Sequence, residues 1–143
     1  MLFRSYGATV DGHPGQGAAY IFTNSNGMLT ETQKLTANDG ESNANFGNAV
    51  ALDNHHALIG ADVSTVNSHT SAGKAYIFIE SGGTWSQTDT LTANDAATDD
   101  FFGAAVSLDG RTALVSTPHP VISGNAYQGA AYFFEHLMDD GRQ

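Results

Sequence analysis

Short apolar runs alternate with turns rich in Gly, Asn and Ser, and no helix-length stretch repeats its apolar residues at 3.6-residue spacing. The segments Leu29–Thr36 and Trp85–Thr92 alternate, with Thr88, Thr90 and Thr92 on one side and Leu91 on the other. Ala57–Ala61 and Ala113–Thr117 are continuously apolar or small, as are three copies of Gly-x-Ala-Tyr-x-Phe, the pattern of strands packed on both faces. With Phe46–Leu52 and Phe102–Leu108 they predict a unit of four short strands, a to d in chain order, in which Leu2–Ser5 is the first strand b. Asn26-Gly27 and Gly82-Gly83 predict tight c–d hairpins, because both central positions of such a turn need positive φ. Asp53-Asn54 and Asp109-Gly110 mark the a–b turns. The b–c connections, residues 62–72 and 118–128, are longer and are expected to be variable loops that carry any ligand contacts. Phe134–Asp140 is expected to form a turn of helix.

The units repeat. Gly17-Ala18-Ala19-Tyr20-Ile21-Phe22 returns as Gly73-Lys74-Ala75-Tyr76-Ile77-Phe78 and as Gly129-Ala130-Ala131-Tyr132-Phe133-Phe134, each step 56 residues. Residues 34–78 and 90–134 align without a gap at 17 identities in 45 positions, far beyond chance. The expected architecture is all-β: antiparallel four-stranded blades of β-propeller type, about two and a half 56-residue repeats in one domain spanning 1–143. Its parts are a partial blade at 1–33, a blade at 34–89, a partial blade at 90–134 and a tail at 135–143. Three, four and three strands cannot close a ring of roughly four to eight blades. The chain is therefore a piece of a larger propeller, assembles with copies of itself, or closes its strands another way; self-association is the expectation, since open strand edges invite pairing.

Composition narrows the partners. Charged residues make up only 14%, and the net charge is −10. Arg4, Lys34, Lys74, Arg111 and Arg142 are scattered, so nucleic acid and anionic membrane surfaces are disfavoured. There is no cysteine, which removes disulfides and thiolate chemistry. No apolar run is long enough to span a membrane, and no apolar signal-peptide core follows Met1–Tyr6.

Phe-Gly-x-x-Val-x-Leu (from Phe46-Gly47), an apolar strand, Gly-x-Ala-Tyr-x-Phe and a Trp-bearing strand ending Leu-Thr-Ala together resemble the FG-GAP repeats of bacterial secreted and surface proteins, relatives of the integrin α-subunit propeller. The resemblance runs from about residue 1 to 134. Phe46-Gly47 and Phe102-Gly103 match the Phe-Gly element. Gly60-Ala61-Asp62 and Ser116-Thr117-Pro118 match the Gly-Ala-Pro element imperfectly. The resemblance implies an extracellular or cell-surface blade used for adhesion or protein contact. The Asp-x-Asp-x-Asp-Gly calcium loop of many integrin-type blades is absent.

The recurring Gly17, Tyr20, Gly73, Tyr76, Gly129 and Tyr132 read as structural, the tyrosines as inter-blade packing. Asp39, Glu41, Asp95, Asp99 and Asp100 make the d–a loops acidic, and they are the best candidates for oxygen ligands to calcium. Otherwise no cofactor is expected. His13 and His69 share a repeat position but lack further ligands in register. Asp53, His55 and His56 meet at one turn, where Asp is better explained as a turn former than as a catalytic acid. The expected function is a non-enzymatic binding or assembly module for protein contact or self-association. The alternative is a lectin-like or calcium-dependent module that takes a glycan or other ligand on the b–c and d–a loops.

Overall fold

A computed structural model describes residues 1–135. Its strands are β1 (Leu2–Ser5), β2 (Ala18–Ser25), β3 (Met28–Leu35), β4 (Val50–Asp53), β5 (His56–Ala61), β6 (Lys74–Ser81), β7 (Thr84–Leu91), β8 (Val106–Asp109), β9 (Thr112–Thr117) and β10 (Ala130–Glu135). The described residues contain no helix. The strands form three antiparallel meanders: β1-β2-β3, β4-β5-β6-β7 and β8-β9-β10. We call them sheets 1, 2 and 3. The expected three, four and three strands are all present.

The hairpins follow the turn residues. Ser25 pairs with Met28 around Asn26 and Gly27, at φ 53° and 84°. Ser81 pairs with Thr84 around Gly82 and Gly83, at 60° and 86°. Both β2–β3 and β6–β7 carry a register shift at the same repeat position, Ile21/Phe22 and Ile77/Phe78.

Three sequence expectations need correction. Strand a is shorter than its apolar pattern suggests: Phe46-Gly47 and Phe102-Gly103 lie in turns ahead of β4 and β8. The cause is backbone conformation, since Gly47 and Gly103 have φ of 92° and 95° and interrupt the pleat. Phe134 and Glu135 end β10 instead of starting a helix, with their backbone paired to Ala113 and Thr112; the rest of the proposed helical turn lies outside the described residues. The b–c loops are not variable in shape. Residues 62–72 and 118–128 share no identical pair in register, yet Val10↔His13, Val66↔His69 and Ile122↔Asn125 make the same isolated bridge. Positive φ recurs at Asp11, Asn67 and Ser123, and again at Gly15, Ser71 and Tyr127. Backbone hydrogen bonds set this shape, so side chains are free to differ.

Two apolar layers hold the sheets together. Between sheets 1 and 2, Ala19, Ile21, Leu35 and Ala37 meet Phe46, Ala57, Ile59, Ala61, Tyr76 and Phe78. Between sheets 2 and 3, Leu58, Ala75, Ile77, Leu91 and Ala93 meet Phe102, Ala113 and Val115, with Tyr132 and Phe134 alongside. Successive residues of β5 thus feed opposite layers, as strand alternation requires. Phe46 packs at 5.4 Å from Tyr76 and 6.0 Å from Phe78. One repeat later, Phe102 packs at 5.5 Å from Tyr132 and 6.1 Å from Phe134. Such tilted and edge-on pairs contribute about 0.5–1.5 kcal/mol each beyond their burial.

Candidate binding surfaces and loop clusters

The Phe-Gly element works mainly through its backbone. A side chain on Gly17 would put its Cβ 2.0 Å from the Phe46 carbonyl oxygen, and one on Gly73 would put it 2.0 Å from that of Phe102. A Cβ on Gly47 would lie 2.6 Å from the Ala18 oxygen, and one on Gly103 2.4 Å from the Lys74 oxygen. Each clasp therefore needs glycine on both sides. It is pinned by a short ladder: Asn43, Asn45 and Phe46 N–H donate to Pro14, Gly15 and Gln16 oxygens at 2.8, 3.2 and 2.8 Å. Asp99, Phe101 and Phe102 N–H donate likewise to Thr70, Ser71 and Ala72 at 3.0, 2.9 and 2.9 Å. Gly129 occupies the third clasp position, and a Cβ there would meet nothing nearer than the Pro118 oxygen at 3.7 Å.

The tyrosines do more than pack. Tyr76 is buried, and its hydroxyl donates to Asp39 Oδ1 at 2.8 Å. Lys74 Nζ donates to Asp39 Oδ2 at 2.8 Å. One repeat on, the Tyr132 hydroxyl donates to Asp95 Oδ1 at 2.5 Å. Burial, then the neighbouring Asp39 carboxylate, pushes the Tyr76 phenol well above its ordinary value. The same two causes, with Asp95 as the carboxylate, raise Tyr132 to about 12. Burial alone would raise Asp39, but the bonds from Lys74 and Tyr76 outweigh it and hold its carboxyl below the usual range. Sequence reasoning missed this Asp–Tyr pairing. The available signal was that Asp39/Asp95 and Tyr76/Tyr132 repeat in one register.

The acidic d–a residues are not brought together as a ligand set. Glu41 Oε1 accepts from the Thr65 N–H. Asp100 is buried, and its Oδ2 accepts from the Ala97 N–H at 2.8 Å. Asp99 sits at φ 64° in the clasp ladder. Among the described residues no three acidic or His side chains gather around one point that could hold a metal. His13 and His69 are exposed, and the structure uses their backbone for the loop bridges. His55 Nδ1 pairs with Glu80 Oε2, while Asp53 Oδ2 accepts from the Gly110 N–H at 2.5 Å, so the Asp53, His55 and His56 turn is divided between two contacts. Asp62, which stands in the Gly-Ala-Pro element, accepts from Asn45 at 3.4 Å, but burial outweighs that bond and raises its carboxyl.

Two apolar sheet faces remain open. On sheet 1, Phe3, Tyr20, Phe22, Leu29 and Glu31 line a groove of about 400 Å³, in which Phe3 and Phe22 pack edge to face at 5.0 Å. Their counterparts one repeat on, Ile59, Tyr76, Phe78 and Trp85, belong to the layer that receives Phe46. On the far side of sheet 3, Leu114 and Phe133 are 43% and 62% exposed. Their counterparts Leu58 and Ile77 are fully buried against sheet 3.

Among the described residues, no helix is long and apolar enough to cross a membrane. No curated protein matches the chain. The family model described as FG-GAP repeat matches residues 29–78 and 85–134, two stretches offset by the same 56 residues and covering more than two thirds of the 143-residue sequence. Each match begins in the outer strand of one sheet and ends in the third strand of the next, so the family's unit straddles the boundary between two sheets and holds the Phe-Gly half of the clasp there. With its Phe-Gly clasps, its antiparallel meanders and both matches in register, the chain belongs to the FG-GAP repeat family.

Proposed function

We propose that the chain is a non-enzymatic binding and assembly module of blade type, working outside the cell and making protein contacts through its sheet faces. The observation that carries this reading is the pair of open faces. Residue positions that are buried between sheets elsewhere in the chain are displayed by Phe3, Leu114 and Phe133. An exposed, contiguous apolar face is the mark of an interaction surface. The loop carboxylates fit the same reading, since Asp39, Asp53 and Asp100 accept hydrogen bonds that brace the loops and turns. Absolute mass by light scattering after size-exclusion chromatography, over a concentration series, tests it. Species heavier than the 15.0 kDa chain that grow with concentration are expected. A 15.0 kDa particle at every concentration up to millimolar would remove assembly from the reading.

A further inference from the structure

We propose that two copies of this chain associate head to tail, the outer face of sheet 3 in one copy docking on the Phe3–Tyr20–Phe22–Leu29 groove of sheet 1 in the other. This rests on the assembly reading above and names its partner and its geometry. The chain already builds this interface twice. In each case one sheet offers a small-and-aliphatic face: Ala19, Ile21 and Leu35, then Ala75, Ile77 and Leu91. The next sheet offers an aromatic face: Ile59, Tyr76 and Phe78, then Val115, Tyr132 and Phe134. In the 56-residue register, Leu114, Ala131 and Phe133 of sheet 3 stand where Leu58, Ala75 and Ile77 stand in the first kind of face, with a ring in place of Ile77. Sheet 1 presents the second kind through Phe3, Tyr20 and Phe22. The two open faces thus correspond to the two halves of the interface that the chain builds internally.

The fit is also one of volume. Inside the chain a ring from the Phe-Gly turn, Phe46 or Phe102, fills the space against the aromatic face. Among the described residues no ring occupies that place on sheet 1, and the groove is open there. On the partner face, the position that holds Ile21 and Ile77 in the internal interfaces holds the larger Phe133. A Phe133 ring entering the groove would occupy the space that Phe46 and Phe102 fill elsewhere. The contact is heterologous, with different patches on the two copies. Because each copy carries a net charge of −10, long-range repulsion opposes it, so added salt should strengthen association.

Complementation by two single-face variants of the full chain tests the arrangement. Phe3→Asp disables the groove, with Leu29→Asp as a second variant should Phe3→Asp lose its β-sheet circular dichroism. Phe133→Asp disables the other face. Each variant alone should associate at least about tenfold more weakly than the parent, and the two mixed should recover a 1:1 dimer, since one intact groove then meets one intact sheet 3 face. A parent chain that stays monomeric refutes both the assembly reading and this one. A parent that associates, while Phe133→Asp alone or the groove variant alone still pairs with itself, refutes only the head-to-tail geometry. Failure of the mixture to pair does the same.

Discussion

Gly17, Gly73 and Gly129 occupy one repeat position with nearly the same φ, 91°, 90° and 83°, but different surroundings. This allows the clasp to be measured against an internal control. Alanine at Gly129 pays only for holding an L-residue in left-handed backbone, about 1–2 kcal/mol, because nothing lies within 3.7 Å of its Cβ. Alanine at Gly73 adds a methyl 2.0 Å from the Phe102 oxygen and 2.5 Å from its nitrogen. No rotamer relieves a clash with backbone, so sheets 2 and 3 must separate by about an ångström, and overpacking of that kind costs about 1–3 kcal/mol more. Gly73→Ala should therefore destabilise by about 2–5 kcal/mol and Gly129→Ala by about 1–2. Urea unfolding followed by circular dichroism, at low protein concentration and with a common slope, gives both values. In thermal melts the excess at Gly73 corresponds to a drop of about 2–12 °C. Equal losses at the two positions would show that conformation alone requires the glycine, and the clasp argument would be wrong.

Phe102→Ala should cost about 3–5 kcal/mol, since the ring is fully buried between sheets 2 and 3; a loss below about 1 kcal/mol in the same assay would mean the layer refills. Asp39 has a lowered folded pKa, so its contribution is present above the unfolded carboxylate value near 4 and is lost as pH falls through the folded value. Tyr76→Phe should accordingly lower stability at pH 7 more than at pH 2.5, and a pH-independent loss would contradict the assignment. Asp62 has the opposite sign: its raised folded pKa makes ionisation a cost that appears as pH rises through that value, so Asp62→Asn should stabilise the chain at pH 7 and not at pH 3. Calcium at 5 mM should leave the melting temperature unchanged within about 1 °C, because Asp39, Glu41, Asp95 and Asp100 already accept hydrogen bonds from the protein; a rise of several degrees would show that the loops rearrange around the ion.

The repeat, the strand order and the tight hairpins were legible in the sequence, because Gly-x-Ala-Tyr-x-Phe and Asn26-Gly27 encode local backbone geometry directly. The start of strand a was not. Phe46 looks like the first apolar residue of a strand, but its place is set by a contact with Gly17, 29 positions away. The b–c loops misled for a related reason: Ser71 and Tyr127 hold the same positive φ as Gly15, so identity fails to report a shape that backbone bonds impose. Nor could periodicity alone separate a packing tyrosine from one that also ties down a loop carboxylate, as Tyr76 and Tyr132 do. The open faces were foreshadowed only as a strand count; which residues they display needed the sheets themselves.

The clasp also constrains how such a chain can lengthen over generations. Gly17 and the Phe46-Gly47 that closes on it are carried by different sheets, so a segment one repeat long hands on the complementary halves of two successive joints. The matched stretches start at residues 29 and 85, immediately beyond the Asn26-Gly27 and Gly82-Gly83 hairpins. A cut there opens only an exposed two-residue loop, and a segment copied between two such cuts carries a Phe-Gly half that closes on the preceding Gly and a Gly half that receives the following Phe-Gly. Those hairpins are therefore the natural seams for duplicating a blade, and for grafting foreign sequence into one.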